Sequence, residues 1–341
     1  MATHPVAPTA EPAEQAPVSP EPIMRVASGF MAAKHLFAAN EVGLFEALAD
    51  SPVTIDGLAA RTGLTTRAAR INADAMVALG LLERDGHTYR NSPAAAAFLS
   101  GQGPGDLRPF LSFWDTLSYP AWERLAEALA SGPPQEIMDL DDERQQVAAA
   151  GIEAILMGPA SALARTVDFS SHRRLLDVGG GTGSWSLAAC RVHDQLTATV
   201  LELPAVATVA RDRVSAAGLT DRIDVRDGDA LNDELPAGYD VFLLANLVHY
   251  WSPEQNRELL QRVRRAAEPG ARLLLADFWT DPTHTQPVIA ALMAGEFAVH
   301  LRNGDVYSVE EARTWLADTG WHFVEHTPLA GPVSLVTAQA R

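Results

Sequence analysis

The sequence predicts an α/β fold: a mostly parallel, Rossmann-like sheet of seven strands, preceded by an N-terminal helical module of winged-helix type. From about residue 166 onwards, short apolar segments typical of strands alternate with segments of helical periodicity. This alternation indicates a parallel sheet with helices on its faces. Before residue 100, two helix patterns are followed by a hairpin pattern with Asp85-Gly86 at its turn. Helices followed by such a hairpin indicate a winged helix.

The length of 341 residues is consistent with about two domains of about 150 residues each. We expect a disordered tail over residues 1–22, which are rich in proline and alanine and whose only charges are acidic. The winged-helix module is expected over 23–100, a helical linker over 101–165 and the α/β domain over 166–341.

The composition argues against several classes of protein. A formal net charge of −17 disfavours a nucleic-acid partner, which needs basic patches to displace counterions. The single cysteine, Cys190, provides neither a disulfide framework nor a cysteine metal site. The first 22 residues lack the pattern of a signal peptide, and no apolar run approaches the ~20 residues of a membrane span. We therefore expect a cytoplasmic protein without a membrane or nucleic-acid partner.

The N-terminal module has more apolar residues than one helix face can bury. They recur throughout Ile23–Asp50, which predicts helices that contact a partner chain. Thr54 is predicted to cap the next helix, and Thr65 or Thr66 the one after it. The expected assembly is a homodimer through this module.

A winged helix also admits a second class of protein, a transcription regulator. Arg67 and Arg70 of its second helix would then enter a DNA groove. The same helix contains Asp74 and is otherwise mostly apolar, and no basic wing follows. We therefore favour the dimerisation module.

The α/β domain begins with a glycine-rich loop. The apolar strand that ends at Val178 runs into Gly179-Gly180-Gly181-Thr182-Gly183, and a helix is predicted over Ser184–Val192. Glycines allow the backbone to adopt positive φ and to approach a ligand closely. A dinucleotide fingerprint would need glycine as the sixth residue, where Ser184 stands, and no Gly-Lys-Ser/Thr follows to make a P-loop.

Acidic residues end the next two predicted strands. Glu202 follows Ala198–Leu201, and the strand Ile223–Val225 runs into Gly228-Asp229. An acid at the end of the second strand is suited to bind a ribose diol, and Asp229 would lie beside a base. Two acids at successive strand ends indicate a nucleoside-containing ligand.

The fourth and fifth strands also end in polar residues. The predicted strand Tyr239–Ala245 is followed by Asn246 and His249, and the strand that begins at Arg272 ends at Asp277. The carboxyl ends of such strands form the ligand-binding edge of an α/β sheet. His249 is therefore expected at the rim where such sheets bind ligands.

Four motifs occur in order: Gly179-x-Gly181-x-Gly183, Glu202-Leu203-Pro204, Gly228-Asp229 and His249-x-Trp251. Together they resemble the class I S-adenosylmethionine-dependent methyltransferases, in particular the plant-type and microbial small-molecule O-methyltransferases. The resemblance covers nearly all of residues 25–340. It implies S-adenosylmethionine as cofactor, a small aromatic acceptor and an N-terminal dimerisation domain.

The resemblance also implies roles for individual residues. His249 would be the general base, and Asp277 the first of two carboxylates that orient it. The second is normally a glutamate, but the register here gives Val306-Tyr307-Ser308 next to Asp305, and Tyr250 replaces an aspartate of the family motif. The residues expected around the cofactor are Asp177, Gly179, Gly181, Glu202, Gly228, Asp229, Ala230 and Asn246.

The helical linker is unusually rich in aromatic residues, with five of them in Phe110–Trp122. A segment that joins two domains is a place where a substrate cleft forms. The residues expected to line that cleft are Phe113, Trp114, Met157, Tyr250, Phe297 and His300.

The expected reaction is O-methylation of a phenolic hydroxyl, because a sulfonium methyl is already activated and requires mainly alignment and a base. Methylation of a carbon or nitrogen of a heteroaromatic ring such as indole is the alternative, since the same base would serve. A pseudo-enzyme that only binds the cofactor also stays open. We expect no metal; the alternative is an iron pair, His249 with His300, like that of related C-methyltransferases.

Overall fold

The computed structural model describes residues 18–103 and 105–341. Most of the predicted disordered tail therefore lies outside the described residues. The described chain forms an N-terminal helical module with a small sheet, a run of linker helices, and an α/β domain.

The N-terminal module contains five helices and a three-stranded antiparallel sheet among the described residues. Its elements are α1 (Glu21–Ala27), α2 (Gly29–Glu41), β1 (Val53–Thr54), α3 (Ile55–Thr62), α4 (Thr66–Ala78), β2 (Leu82–Asp85), β3 (Thr88–Asn91) and α5 (Pro93–Phe98). The hairpin β2–β3 and the caps of α3 by Thr54 and of α4 by Thr65 confirm the predictions. The helical pattern over Ile23–Asp50 ends earlier than predicted, at Glu41, and a turn and a short 3-10 helix follow.

The linker is mainly helical between residue 108 and the start of the α/β domain, with a longer connection over residues 132–141 that contains one 3-10 turn, Ile137–Asp139. Its helices are α6 (Arg108–Phe113), α7 (Tyr119–Trp122), α8 (Leu125–Ser131) and α9 (Asp142–Thr166). A five-residue π-helical segment, Trp114–Ser118, joins α6 to α7. Such segments are often found at functional sites.

Helix α9 is the one helix in the described part of the chain that is long and apolar enough to cross a membrane by length and composition. An 18-residue window of it has a mean hydropathy of 1.6. It packs against α6 and against the first helix of the α/β domain, and Ala160 and Leu163 are fully buried. Because the core helix of a soluble protein passes the same test, we interpret α9 as an internal helix of the fold.

The α/β domain is built on a seven-stranded sheet, counted over the described residues. Its strands are β4 (Arg174–Val178), β5 (Thr197–Glu202), β6 (Ile223–Asp227), β7 (Val241–Ala245), β8 (Arg272–Asp277), β9 (Trp321–Pro328) and β10 (Ser334–Ala340). Their order is β6-β5-β4-β7-β8-β10-β9, and β10 runs in the direction opposite to the other six strands. The chain order reverses beside β4, which makes the carboxyl end of β4 the switch point where α/β sheets bind ligands.

Helices cover both faces of this sheet. They are α10 (Ser184–Val192), α11 (Pro204–Ala216), α12 (Pro253–Ala266), α13 (Val288–His300) and α14 (Val309–Asp318). The prediction for α10 is confirmed at both ends, and Ser252 and Ser308 cap α12 and α14 in capping boxes. Successive strand residues such as Leu175 and Leu176 are buried in separate cores on opposite faces. Burial on both faces explains why these strands read as continuous apolar runs.

Candidate functional site

The glycine loop lies at the carboxyl end of β4. Gly179, Gly181 and Gly183 all have positive φ, between 56° and 82°. A Cβ added to Gly179 would lie 2.8 Å from a methyl carbon of Leu247, whereas one added to Gly181 would meet nothing within 4 Å. The loop is therefore packed closely on one side and open at Gly181.

Asp177 lies beneath this loop. Its side chain is fully buried, the Ser186 hydroxyl donates to its Oδ2 at 2.7 Å, and its Oδ1 has no hydrogen-bond partner. Burial raises the pKa of Asp177 to about 7, and the nearby carboxylate of Glu202 adds to the rise. The structure thus places this predicted cofactor residue in support of the loop, where Gly180 covers it.

The two strand-end acids lie next to each other on parallel strands. Glu202 Oε2 accepts the N–H of Gly181 at 2.8 Å, and its Oε1 accepts the N–H of Leu203 at 2.7 Å. The side chain of Asp229 accepts hydrogen bonds from Leu231 N–H and from the Asn232 amide, and these bonds lower its pKa. Glu202 is thereby held by the glycine loop and by its own next residue, and Asp229 is held by the loop that contains it.

The backbone between these acids is tightly packed. The N–H of Gly228 donates to the main-chain oxygen of Glu202 at 3.0 Å, and a Cβ on Gly228 would lie 2.6 Å from Leu201 Cδ1. Ala230 is buried. Gly181, Glu202, Gly228, Asp229 and Ala230 therefore follow one edge of the sheet across β4, β5 and β6, as predicted from the strand ends.

Asn246 follows β7 on the other side of the glycine loop. Its φ is +50°, its N–H donates to Ala276 O at 2.8 Å, and its side-chain Oδ1 is buried without a hydrogen-bond partner in the described part of the chain. A buried acceptor without a donor costs about 1–3 kcal/mol. An unpartnered oxygen beside Leu247, which contacts Gly179, favours a ligand that donates a hydrogen bond there.

His249 and Asp277 form a buried pair at the ends of β7 and β8. His249 Nδ1 lies 2.7 Å from Asp277 Oδ1, and the two residues are 6% and 1% exposed. Asp277 also accepts the N–H groups of Phe278, at 2.8 Å, and Leu247, at 3.1 Å. Because the carboxylate can only accept, Nδ1 is the protonated nitrogen and Nε2 is left as the acceptor.

Aromatic rings enclose the His249 imidazole. The ring of Phe297 stacks on it at 4.0 Å between centroids with an interplanar angle of 5°, and Tyr250 stacks at 4.7 Å and 29°. Phe278 approaches edge-on. Burial, together with the charges of Asp277 and Glu202, raises the pKa of Tyr250 to about 12, so this ring stays neutral at physiological pH.

The structure supplies no second carboxylate at the position where the resemblance implies one. Asp305 is exposed; its side chain accepts the N–H of Val306, and its own N–H donates to the main-chain oxygen of His249. Its contact with the histidine is therefore through the backbone. Ring stacking takes the place of a second acid in orienting the imidazole.

Some of the predicted substrate residues contact His249, and others pack elsewhere. Phe297 and Tyr250 contact His249, and the His300 ring lies 6.4 Å from that of Phe113.

The ring of Trp114 does not take part in these contacts. Its centroid lies 4.5 Å from that of Phe110, and it packs against the core of the N-terminal module. Met157 is 44% exposed and lines a cavity of about 870 Å³ between α9 and α10. No residue that encloses His249 lines this cavity, so the structure places Met157 apart from the histidine. A second cavity, of about 780 Å³, lies at the opposite, amino end of the strands, near Asp240 and Arg272.

The two histidines of the iron pair considered from sequence face different carboxylates: His249 Nδ1 faces Asp277, and His300 faces Glu296. The described residues contain no group of three or more histidines, cysteines and acids placed to hold a metal. His300 Nε2 lies beside Glu296, at 3.2 Å from its Oε1.

Two family profiles match the chain. The O-methyltransferase domain matches residues 129–322, which is more than half of the chain, and the O-methyltransferase dimerisation domain matches residues 24–101. The chain belongs to the O-methyltransferase family. It is an S-adenosylmethionine-dependent methyltransferase, as the sequence motifs implied.

Curated members of the family resemble the chain over almost its whole length. It is 32% identical to the tetracenomycin polyketide synthesis 8-O-methyl transferase TcmO of Streptomyces glaucescens, over 93% of this chain and 95% of the relative. It is 35% identical to the 3-hydroxy-5-methyl-1-naphthoate 3-O-methyltransferase of Streptomyces sahachiroi, over 90% and 91%. It is also 32% identical to the N,N-dimethyltransferase OxyT of Streptomyces rimosus, over 94% of each chain.

Solved structures of the family confirm the predicted fold. The S-adenosylmethionine-dependent methyltransferase SibL superposes with a TM-score of 0.81 at 30% identity, over 94% of this chain and 99% of that one. CalO1, a methyltransferase in calicheamicin biosynthesis solved with S-adenosylhomocysteine, gives a TM-score of 0.84 at 25% identity, over 94% and 98%.

The carboxyl edge of the sheet fits the family's cofactor. The space at Gly181 allows a ligand to approach the backbone, and the unpartnered Oδ1 of Asn246 suits an ammonium group. Glu202, beside Gly181, provides carboxylate oxygens at the end of β5. These features match a ligand with an amino acid part and a ribose.

A further polar cluster supports the loop and was not predicted from the sequence. Glu153 of α9 accepts hydrogen bonds from the hydroxyls of Thr182, at 2.7 Å, and Ser184, at 2.5 Å, and from Arg213 of α11, at 2.6 Å. Burial by itself would raise the pKa of Glu153, but these hydrogen bonds outweigh it and lower the pKa. The available signal was one acid within the apolar stretch 147–164 of α9.

Proposed function

We propose that the family member described here methylates a phenolic hydroxyl of a small aromatic metabolite, with His249 as the general base. The observation that best supports this proposal is the buried pair of His249 Nδ1 and Asp277 Oδ1 at 2.7 Å. It leaves Nε2 as the acceptor on an imidazole against which aromatic rings stack. A neutral imidazole with an acceptor nitrogen is suited to take a phenolic proton.

In the proposed reaction, the phenol oxygen forms a bond to the methyl carbon as its proton passes to His249 Nε2. S-adenosylmethionine, when bound, supplies the methyl group on a sulfonium, and the carbon–sulfur bond breaks to leave S-adenosylhomocysteine. Asp277 stabilises the imidazolium that forms and keeps its orientation. Phe297 and Tyr250 hold the ring between them, and these faces also favour a cation.

We propose that the cofactor is held along the strand ends. Glu202 would accept hydrogen bonds from the ribose hydroxyls, and Asp229, with Gly228 and Ala230, would border the adenine. Gly179, Gly181 and Asn246 would surround the methionine part, with Asp177 supporting them from beneath. The hydrogen bonds of Glu202 and the open space at Gly181 support this assignment.

Methylation of nitrogen or carbon is the second candidate. OxyT, at 32% identity, is named an N,N-dimethyltransferase, and a 28% identical relative is named an L-tyrosine C(3)-methyltransferase. His249 could remove a proton from an indole N–H or an activated ring position in the same way.

We further propose that the protein is a homodimer through its N-terminal module. Ile23, Met24, Val26, Phe30 and Met31 of α1 and α2 are each more than half exposed, a larger apolar surface than single scattered residues give. The dimerisation domain assigned to residues 24–101 contains four of these five. Cytoplasmic location stays a prediction.

The alternative of a transcription regulator is weaker, because α4, the helix that would enter the DNA groove, has little free positive charge. Asp74 accepts hydrogen bonds from Arg70, Arg84 and Tyr89.

The test of the proposed function is incubation with methyl-labelled S-adenosylmethionine and a panel of phenols, aromatic amines and indoles. Mass and NMR analysis of the product identify the methylated atom. We expect O-methyl products from phenols; label found only on nitrogen or carbon would reject O-methylation and support the second candidate.

A further inference from the structure

Helix α13 carries a second carboxylate–histidine pair. Phe297, the residue that stacks on His249, belongs to the same helix. Glu296 and His300 are 6% and 8% exposed, and His300 Nε2 lies 3.2 Å from Glu296 Oε1. The two groups are in ion-pair range, although their orientation does not meet hydrogen-bond geometry, so Nε2 is buried without a well-aligned partner. A buried, incompletely satisfied polar group is unusual in a protein core.

Glu296 is held as a carboxylate by the linker. The hydroxyl of Ser118 contacts both of its oxygens, at 2.7 and 2.6 Å, and the indole N–H of Trp122 donates to Oε2. Burial by itself would raise the pKa of Glu296, but the interactions with His300, Ser118 and Trp122 outweigh it and lower the pKa. The pair thus contains a fixed negative charge, which favours a hydrogen on the Nε2 that faces it.

The helix geometry places His300 between Glu296 and Phe297 around the axis of α13. At about 100° per residue, His300 lies about 40° around α13 from Glu296 and about 60° from Phe297. Phe297 stacks on His249, and Phe113 of the linker lies 6.4 Å from the His300 ring. His300 therefore has Phe113 of the linker near its ring and lies one turn of α13 from Phe297, the ring that stacks on His249.

The second ring nitrogen of His300 is Nδ1. No hydrogen bond to Nδ1 is found among residues 18–103 and 105–341. With the hydrogen on Nε2, Nδ1 is an acceptor. An acceptor nitrogen on a histidine between Phe113 and Phe297 is suited to a hydroxyl on an aromatic ligand.

We propose that His300, positioned by Glu296, accepts a hydrogen bond from a second hydroxyl of the acceptor. The acceptor class is then an aromatic compound with at least two hydroxyl groups, one methylated at His249 and the other bound at His300. This inference rests on the proposed function, because it assumes that the acceptor is a phenol bound at His249. It adds a specificity residue that distinguishes dihydroxy from monohydroxy acceptors.

The experiment compares kcat/KM for the two naphthols, the isomeric dihydroxynaphthalenes and their monomethyl ethers. In the wild type we expect one dihydroxy isomer to be preferred over both naphthols and over its own monomethyl ether. His300→Phe keeps an aromatic ring beside Phe113 but removes the acceptor nitrogen. It should lower this preference, measured as the ratio of kcat/KM for the dihydroxy isomer to kcat/KM for the naphthols, by about ten- to a hundredfold.

Two further variants keep the test decisive. Glu296→Gln should lower the same preference less, because a neutral amide orients Nε2–H less firmly. His326→Phe, at a histidine that contacts Ser334 on the far edge of the sheet, is the matched control and should leave the preference unchanged. Thermal unfolding of each variant tests whether it is folded.

A preference retained in His300→Phe, or absent from the wild type, would overturn the proposal. Failure of the proposed function gives a different result. In that case His249→Ala would leave the turnover of every acceptor intact, whether or not the wild type prefers a dihydroxy isomer.

Discussion

The glycine loop and the His249 site lie at the same edge of the sheet but are stabilised in different ways. The loop is held by polar contacts: Glu202 accepts the Gly181 N–H, and Glu153 accepts hydrogen bonds from two hydroxyls and Arg213. Within the described residues, the His249 side chain hydrogen-bonds to Asp277 and otherwise packs against aromatic rings. We therefore expect cofactor affinity to respond to changes in charge. The activity of the proposed base should respond instead to changes in ring volume and orientation.

The largest expected effect is at His249. If it is the general base, His249→Ala should lower kcat by about 10²–10⁴-fold while the affinity for S-adenosylmethionine stays nearly the same. Steady-state kinetics and calorimetry measure the two quantities. His322→Ala, at an exposed histidine of β9, is the control. Full activity of the His249 variant would reject the base assignment and leave catalysis by positioning alone.

The next largest effect should change cofactor affinity at the glycine loop without involving His249. Glu202→Ala removes the acceptor of the Gly181 N–H and of the proposed ribose hydroxyls, so S-adenosylmethionine affinity should fall by about 10–100-fold. Titration calorimetry gives the dissociation constant. Glu234→Ala, at an exposed acid in a nearby loop, should not change it. Unchanged affinity in Glu202→Ala would contradict the ribose assignment.

A smaller effect is expected from the stacked ring. Phe297→Leu keeps an apolar side chain but loses the face that lies 4.0 Å from the imidazole, so kcat should fall about three- to tenfold with little change in cofactor affinity. Phe323→Leu, on the edge strand β9 under Arg313, serves as the matched control. A fall in cofactor affinity instead of kcat would mean that the ring belongs to the cofactor site, and the contrast between the two regions would be lost.

The smallest effect concerns the stability of the free protein. The pKa of Asp177 is about 7 in the folded chain and about 3.9 when unfolded, so between these values the folded state binds more protons at this group. Its contribution to the free energy of unfolding therefore falls as pH rises from about 4 to 7. Asp177→Asn should gain Tm relative to the wild type as pH rises through this window, by about 2–4 °C for each kcal/mol.

Scanning calorimetry between pH 5 and 8 measures this difference. Asp212→Asn, at an exposed acid of α11, should show no such trend. A Tm difference that does not change with pH would show that the buried carboxylate is ionised throughout.

The sequence by itself determined the local features of this protein. The strands, the turn at Asp85-Gly86, the serine and threonine caps, the glycine loop and the helix Ser184–Val192 depend on neighbouring residues, and each appears in the structure. The pairing of His249 with Asp277 was implied by the family resemblance, and it occurs because parallel strands end at one edge of the sheet.

Only the tertiary structure decided which distant side chains meet. Glu153 and Arg213, and Glu296 and Ser118, are 60 and 178 residues apart in sequence and contact each other because separate helices pack together. The burial of Asp177, the outward position of Asp305 and the separation of Met157 from His249 likewise depend on how these helices and loops pack on the sheet. A periodicity or a motif reports which face a residue occupies within its own element. The packing partner across the interface is selected by shape and by satisfaction of buried polar groups over the whole fold, which no local pattern records.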